Sequence, residues 1–408
     1  VTRLTAAAVQ QWPVIAVFAA LPTVGLVQGP SYAGLIYGLA VVELVVGLCL
    51  LRRLPVIDRQ LGLLAATFAV WCWASVAWSI DPARSAAAAL QMTAILAGCL
   101  IFLAGPRLSG EVADRLFRVL FLATLTGGVV FIADRTLGYP LQSLFMSHSL
   151  APVATKYNRG LDHLVLIAWP QLGFFAWRGD WRGGLLLAVA VTTIEGIGRS
   201  LAGQVGLMAG LIVLVLAHWR PRLVGPAIAG GTILLVAGLP FGLRALAEHR
   251  AALAPYLKTS GLHRLEIWDF MTARVLEHPL LGWGFGIAGS LPIKPEELSH
   301  FVIQHDDGIY PHNQWLGVWV ETGAPGATIA LGFALLVLWR IRRLGDTLQP
   351  FAYATFASAL AISYVNFEVK TDSWWAAVAA GAYLLTTLDS TTEPTRTARH
   401  AVVPPERA

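Results

Sequence analysis

Residues 185–217 read LLLAVAVTTIEGIGRSLAGQVGLMAGLIVLVLA. Glu195 and Arg199 are its only charges, and it reads as two membrane spans, near 183–197 and 200–217, joined through Glu195-Gly196-Ile197-Gly198-Arg199-Ser200. One long helix is the competing reading, but two glycines within three residues favour a break. Outward from this stretch, apolar runs recur near 12–28, 33–51, 60–78, 85–104, 113–133, 161–177, 223–243, 312–339, 350–366 and 373–389. A spanning helix takes about 20 apolar residues, so the runs make about twelve spans. Composition agrees: of 408 residues 56% are hydrophobic and 13% charged, against roughly 25% charged in soluble domains. That balance argues against a soluble globular or disordered chain, and the glycines and prolines follow no repeating period. The expected fold class is an all-α polytopic membrane protein.

The loops alternate in charge. One set, with the two terminal segments, holds seventeen Lys and Arg, among them Arg52, Arg53, Arg107, Arg178, Arg220 and Arg340. The opposite short loops hold six: Arg84, Arg135, Lys156, Arg159, Arg199 and Lys370. The positive-inside rule then places both termini in the cytoplasm, and the net charge of +5 reads as topology, with no nucleic-acid partner expected. Cys49, Cys72 and Cys99 all lie inside apolar runs, so no disulfide framework is expected. The first run, Trp12 to Val27, reads as a retained span instead of a removed signal peptide.

Four segments follow: spans one to nine in 1–243, an outward-facing loop domain in 244–311, spans ten to twelve in 312–389, and a disordered cytoplasmic tail in 390–408. Within the loop domain, Arg264 to Met271 has helical spacing of apolar residues, up to Pro279 as a breaker.

Cations at the outward edge need a separate explanation. Arg159 and Arg199 each lie within a residue or two of the start of a span, at the depth of a lipid phosphate. A guanidinium fork grips phosphate oxygens in pairs, and partial desolvation strengthens those bonds. The plainer reading is snorkelling to the interface, or pairing with Glu195 or Asp162. His312, after Pro311, is placed at the start of span ten, because Pro suits the first helical turn. There the partial positive charge of the helix end disfavours a protonated imidazole and leaves His312 able to accept a proton, and the same end attracts phosphate. The alternative is an interfacial His that hydrogen-bonds a loop. Glu321 is expected to pair inside the bundle, as is Glu43 in span two. Gly284-Phe285-Gly286-Ile287-Ala288-Gly289 satisfies G-x-G-x-x-G but has no βαβ unit around it, so no dinucleotide is expected. His300, His305, Asp306, Asp307 and His312 match no standard ligand spacing, and no metal is expected.

Three segments, in order, resemble a known family. His312-Asn313-Gln314-Trp315-Leu316, followed by Glu321-Thr322-Gly323-Ala324-Pro325-Gly326, is similar to the H-N-x-x-L…E-x-G-x-x-G signature of the bacterial O-antigen ligase and O-antigen polymerase superfamily. His278-Pro279-Leu280-Leu281-Gly282-Trp283-Gly284 resembles its H-P-x-x-G-x-G segment, and Arg264 with Trp268 its Arg-x-x-x-Trp. The resemblance implies a GT-C-type glycosyltransferase without cofactor, in the bacterial inner membrane. Such an enzyme takes O-antigen glycan from undecaprenyl diphosphate at the periplasmic face and joins it to lipid A–core oligosaccharide. It implies catalytic roles for His312, Arg199 and Arg264, with Arg159, Arg199 and Arg264 on the diphosphate. Tyr310, Asn313 and Trp268 are candidate contacts to acceptor or sugar. An O-antigen polymerase or a protein O-oligosaccharyltransferase would use the same donor. A lipid-linked glycan transporter is disfavoured, because the two halves show no internal repeat and the best candidate charges lie at the rim, away from the midplane.

Overall fold

The computed structural model describes residues 3–144, 158–256, 259–294 and 309–400, which are helical and contain no strand. Twelve long helices cover the twelve apolar runs: α1 (Arg3–Val27), α2 (Ser31–Cys49), α3 (Arg59–Ala74), α4 (Pro82–Leu103), α5 (Gly110–Thr136), α7 (Asn158–Arg178), α8 (Trp181–Gly198), α9 (Leu201–Trp219), α10 (Pro221–Glu248), α13 (Gln314–Ile341), α14 (Gln349–Val365) and α15 (Asp372–His400). Three others lie between them: α6 (Pro140–Leu144), α11 (Arg250–Leu253) and α12 (Thr259–Glu277). Seven of the long helices, α2, α3 with the turn that follows it, α4, α5, α9, α10 and α13, are long and apolar enough to cross a membrane. Large apolar side chains such as Leu186, Val189, Met208, Ile212, Leu234 and Phe241 are exposed on α8, α9 and α10. A surface of that kind suits lipid and not water.

The break foreseen between α8 and α9 is a two-residue reversal. Arg199 is the left-handed residue, at φ 61° and ψ 28°, and its N–H donates to the Glu195 carbonyl at 3.0 Å. Ser200 caps α9, its hydroxyl accepting from the Gly203 N–H at 3.3 Å. The glycines weaken the helix, but an arginine takes the conformation that glycine favours.

At the centre stands α7, whose residues from Gly160 to Gln171 are all buried. Its first turn is held by glycines: a Cβ on Gly160 would run into the Gly25 carbonyl of α1, and one on Gly29 would lie 2.8 Å from the Arg159 Cβ. The α9–α14 crossing is equally close. Gly206 and Gly210 leave room for Ile362, Ser358 and Trp169, and the Ser358 hydroxyl accepts from Trp169 Nε1 at 2.8 Å while donating to the Gly206 carbonyl at 2.7 Å. Small residues at four-residue spacing allow such backbone approach in membrane bundles. This crossing sets the end of α14 beside the start of α9.

Inside α13 the helix is broken at Gly323, with φ 63° and ψ −164°, a region open essentially to glycine alone. The break frees carbonyls, and the loop before the helix uses them: Trp283 N–H donates to Val320 at 2.9 Å and Gly284 N–H to Glu321 at 3.1 Å, while Ala324 N–H donates to Pro279 at 2.9 Å. Two of the motif segments are therefore partners in one structural joint. The G-x-G-x-x-G run belongs to it as well. Gly284 and Gly286 have φ of 109° and 82°, and the Ala288 N–H reaches the Glu321 carboxyl at 3.2 Å, so these loop amides face a protein carboxyl. Gly323→Ala is expected to cost about 1–3 kcal/mol, measurable as a lowered Tm in detergent. An unchanged Tm would show that the kink is not needed.

Several expectations are corrected. α13 starts at Gln314, two residues later than predicted, because Asn313 takes the cap position and its Oδ1 accepts from the Leu316 N–H at 3.0 Å. α10 extends to Glu248, beyond the boundary placed at 243. Residues 390–400, read as disordered, continue α15; once a helix is nucleated and packed, each added residue gains a hydrogen bond, and Ser390 still donates to the Leu108 carbonyl at 3.1 Å. Glu43 is not paired: its buried carboxyl lacks a hydrogen-bond partner among the described residues and lies where a Cβ on Gly105 would be.

Contacts between loops keep to the two charge sets. Arg340 pairs with Asp58 at 2.6 Å and Arg178 with Asp114, both within the cation-rich set. At the other end, Trp78 Nε1 donates to the Leu281 carbonyl at 3.1 Å, and Arg84, Arg159 and Lys370 all act on Glu368.

Candidate active site

The end of the bundle that carries the sparse cations gathers most of the residues singled out in the sequence. α12 brings in two of them. Arg264 and Trp268 are one turn apart on this helix and so share a face. Trp268 Nε1 donates to the Pro311 carbonyl at 2.8 Å, which fixes the backbone immediately before His312. α12 itself is held by an apolar core of Ile267, Phe270 and Met271 with Leu239 of α10 and Leu316 and Val320 of α13.

Arg264 is half-buried and lies within electrostatic range of the Asp162 carboxylate of α7, without forming an ion pair with it. Burial pulls the Arg264 guanidinium below its usual value, and Asp162 opposes that pull. The other described arginines of the loop region are matched locally: Arg244 lies 3.2 Å from Asp269, Arg250 3.9 Å from Glu266, and Arg274 2.6 Å from Glu277. Arg264 instead faces the bundle.

Asp162 is fully buried and hydrogen-bonded on both oxygens: the Ser200 hydroxyl donates at 2.7 Å and Asn366 Nδ2 at 2.6 Å. The exposed Arg199 immediately precedes Ser200. Thus the Arg199–Ser200 turn is bonded to the carboxylate whose charge also acts on Arg264. His312 is exposed, with φ 45°, and lies two residues ahead of α13. Non-glycine residues in the left-handed region are uncommon and cluster at functional sites. Five occur among the described residues, and Arg199, His312 and Phe367, next to Asn366, are three of them.

The remaining candidates are placed as follows. Arg159 is exposed in the first turn of α7 and acts with Arg84 and Lys370 on the half-buried Glu368. Burial pushes the Glu368 carboxyl above the usual carboxylate range, while those three cations pull it down. Tyr310 packs against Gly289, where a Cβ would strike its ring. Asn313 is almost wholly buried, its side chain used in capping α13. The suggested pairings of Arg159 or Arg199 with Glu195 or Asp162 do not occur as ion pairs among the described residues; Glu195, 1% exposed, has no hydrogen-bond partner for its carboxyl oxygens there. Lys156, His300, His305, Asp306 and Asp307 lie outside the described residues.

Sequence reading weighed Asp162 only as a partner for Arg159 or Arg199, and passed over Ser200, Asn366 and Glu368 as site residues. A signal was present for two of them: Asn366-Phe367-Glu368-Val369-Lys370-Thr371-Asp372 is polar for a short loop between two apolar runs.

The described residues are helical, without strands, and consistent with a polytopic membrane protein, and the Arg199 turn, Arg264 and His312 are linked to one another through Asp162 and Trp268. Comparison with known proteins shows what this chain is similar to. A sequence model of the O-antigen ligase family matches residues 184–331, which include Arg199, Arg264 and His312. Two similar proteins are provisionally named polysaccharide ligases. One, from Rickettsia bellii, is 27% identical over 317 residues, 76% of each chain. The other, from Rickettsia felis, is 24% identical over 342 residues, 80% of this chain and 79% of its own. These findings support the O-antigen ligase superfamily for this chain.

Proposed function

We propose that this protein transfers an O-antigen-type glycan from undecaprenyl diphosphate to lipid A–core oligosaccharide, at the periplasmic face of the bacterial inner membrane. The observation that carries this reading is the convergence on Asp162: the Arg199–Ser200 turn is hydrogen-bonded to it and Arg264 lies within its electrostatic reach, while Trp268, on the Arg264 face of α12, holds the backbone at His312.

In the reaction, the acceptor hydroxyl oxygen attacks the anomeric carbon of the donor sugar. A new glycosidic bond forms as the bond to the diphosphate oxygen breaks, and the electron pair leaves with the diphosphate. Arg199 and Arg264, with Arg159, stabilise that growing negative charge; fixed donors aimed at developing charge are among the largest contributions to catalysis. His312 orients the hydroxyl and takes its proton. Direct displacement inverts the anomeric centre. The tail and cation-rich loops face the cytoplasm, and the twelve long helices form a GT-C-type membrane domain.

The test is transfer by purified protein, given undecaprenyl diphosphate-linked glycan and, separately, lipid A–core or a second lipid-linked glycan. Glycosylated lipid A–core is the expected product. Elongated lipid-linked glycan would make the protein a polymerase, and no product with either acceptor would overturn the reading.

Trp268→Phe is expected to lower transfer roughly 10-fold while Tm changes little, since a small displacement of a catalytic group is costly in rate and the lost hydrogen bond is worth only about 1 kcal/mol. Equal losses of rate and stability would make Trp268 a packing residue.

A further inference from the structure

Asp162 has surroundings that a bundle carboxylate does not need for packing alone. Burying a carboxylate costs several kcal/mol unless it is paired and hydrogen-bonded; the groups that hydrogen-bond Asp162 come from two separate places, the α8–α9 turn and the end of α14, while the charge of Arg264, on α12 of the loop region, acts on it from a third. The Ser200 hydroxyl donates to Asp162 and accepts from the Gly203 N–H, so its orientation is set from both sides. Arg199, left-handed and directly before Ser200, is bracketed between that anchored residue and the Glu195 carbonyl. Gly203 makes room for two buried carboxyls, since a Cβ there would run into the Glu195 carboxyl and lie 3.2 Å from Asp162 Oδ1.

We propose that Asp162 is a positioning residue for the diphosphate site, holding the Arg199 turn and Arg264 in one arrangement so that both guanidiniums meet the same pyrophosphate. The assignment rests on the proposed transfer reaction. Asp162 does not touch the substrate; it acts through the two arginines.

The test uses the full chain in detergent or nanodiscs, with Asp162→Asn compared with wild type for transfer and for binding of undecaprenyl diphosphate alone. Asparagine keeps the size and an acceptor for Ser200 but removes the charge that faces Arg264. The expected result is a roughly 10- to 100-fold lower kcat and several-fold weaker binding of undecaprenyl diphosphate, with the KM for the acceptor unchanged. In an Arg264→Lys background the same change is expected to cost much less, because groups that act as a unit are not additive. Unchanged kcat and binding, or losses that multiply fully in the double variant, would overturn the proposal. If Asp162→Asn does not fold, Ser200→Ala decides: several-fold weaker binding supports the role, and wild-type binding overturns it. If wild type binds undecaprenyl diphosphate but transfers to neither acceptor, the function reading fails while binding still tests Asp162. If it neither transfers nor binds, both fall.

Discussion

His312→Ala protein, inserted and folded like wild type, is expected to transfer glycan at least about 100-fold more slowly, the usual scale for loss of a general base. His312 is exposed at the mouth of α13, in left-handed backbone, and its preceding carbonyl is gripped by Trp268. The backbone is therefore held in an uncommon conformation by neighbours, which is reasonable when the side chain has to project to one place. Alanine removes the imidazole but also prefers other backbone angles, so His312→Asn is the needed companion. Asparagine tolerates the left-handed region and isolates the loss of the ring from any shift of the chain. Both variants should lose kcat while binding of undecaprenyl diphosphate persists. Wild-type rates in either variant would remove the base assignment.

The second large effect is expected from Arg199→Lys. Lysine retains the positive charge at the α8–α9 turn but lacks the planar fork that holds two phosphate oxygens together. Loss of one donor aimed at developing charge commonly costs about 10²- to 10³-fold in rate, and a loss on that scale is expected here in kcat and not in stability. The turn gives a reason to trust the separation. Lys and Arg carry the same backbone preference, so the left-handed geometry at φ 61° is equally strained in both, and the Ser200 cap is untouched. Unaltered transfer would make Arg199 an interfacial residue that only reaches toward headgroups.

The architecture was legible where the signal was local. Each apolar run became one long helix, and the Gly196/Gly198 region marked the break. The helix around Arg264 ended before Pro279, as the breaker requires. The boundaries that moved did so for local chemistry the pattern hides, as when the Asn313 cap displaced the start of α13 past His312. Glu321 was expected to pair inside the bundle; its carboxyl accepts from the Ala288 amide in the glycine run at 284–289.

The site divides along the same line. From the amino-acid sequence alone came the class of protein, the order of the helices, the short motifs that single out Arg264 and His312, and the outward-edge charge that singles out Arg199, because hydrophobicity, chain breaks, charge and motif spacing are written in neighbouring residues. Only the tertiary structure decided which charges meet. Asp162 joins Ser200 and Asn366, 38 and 204 residues away along the chain, and faces Arg264 of a different element. Such pairings follow from helix crossings set by Gly160 on Gly25 and by Gly206 and Gly210 on α14, and the geometry of close packing between distant segments leaves no local trace in the order of residues.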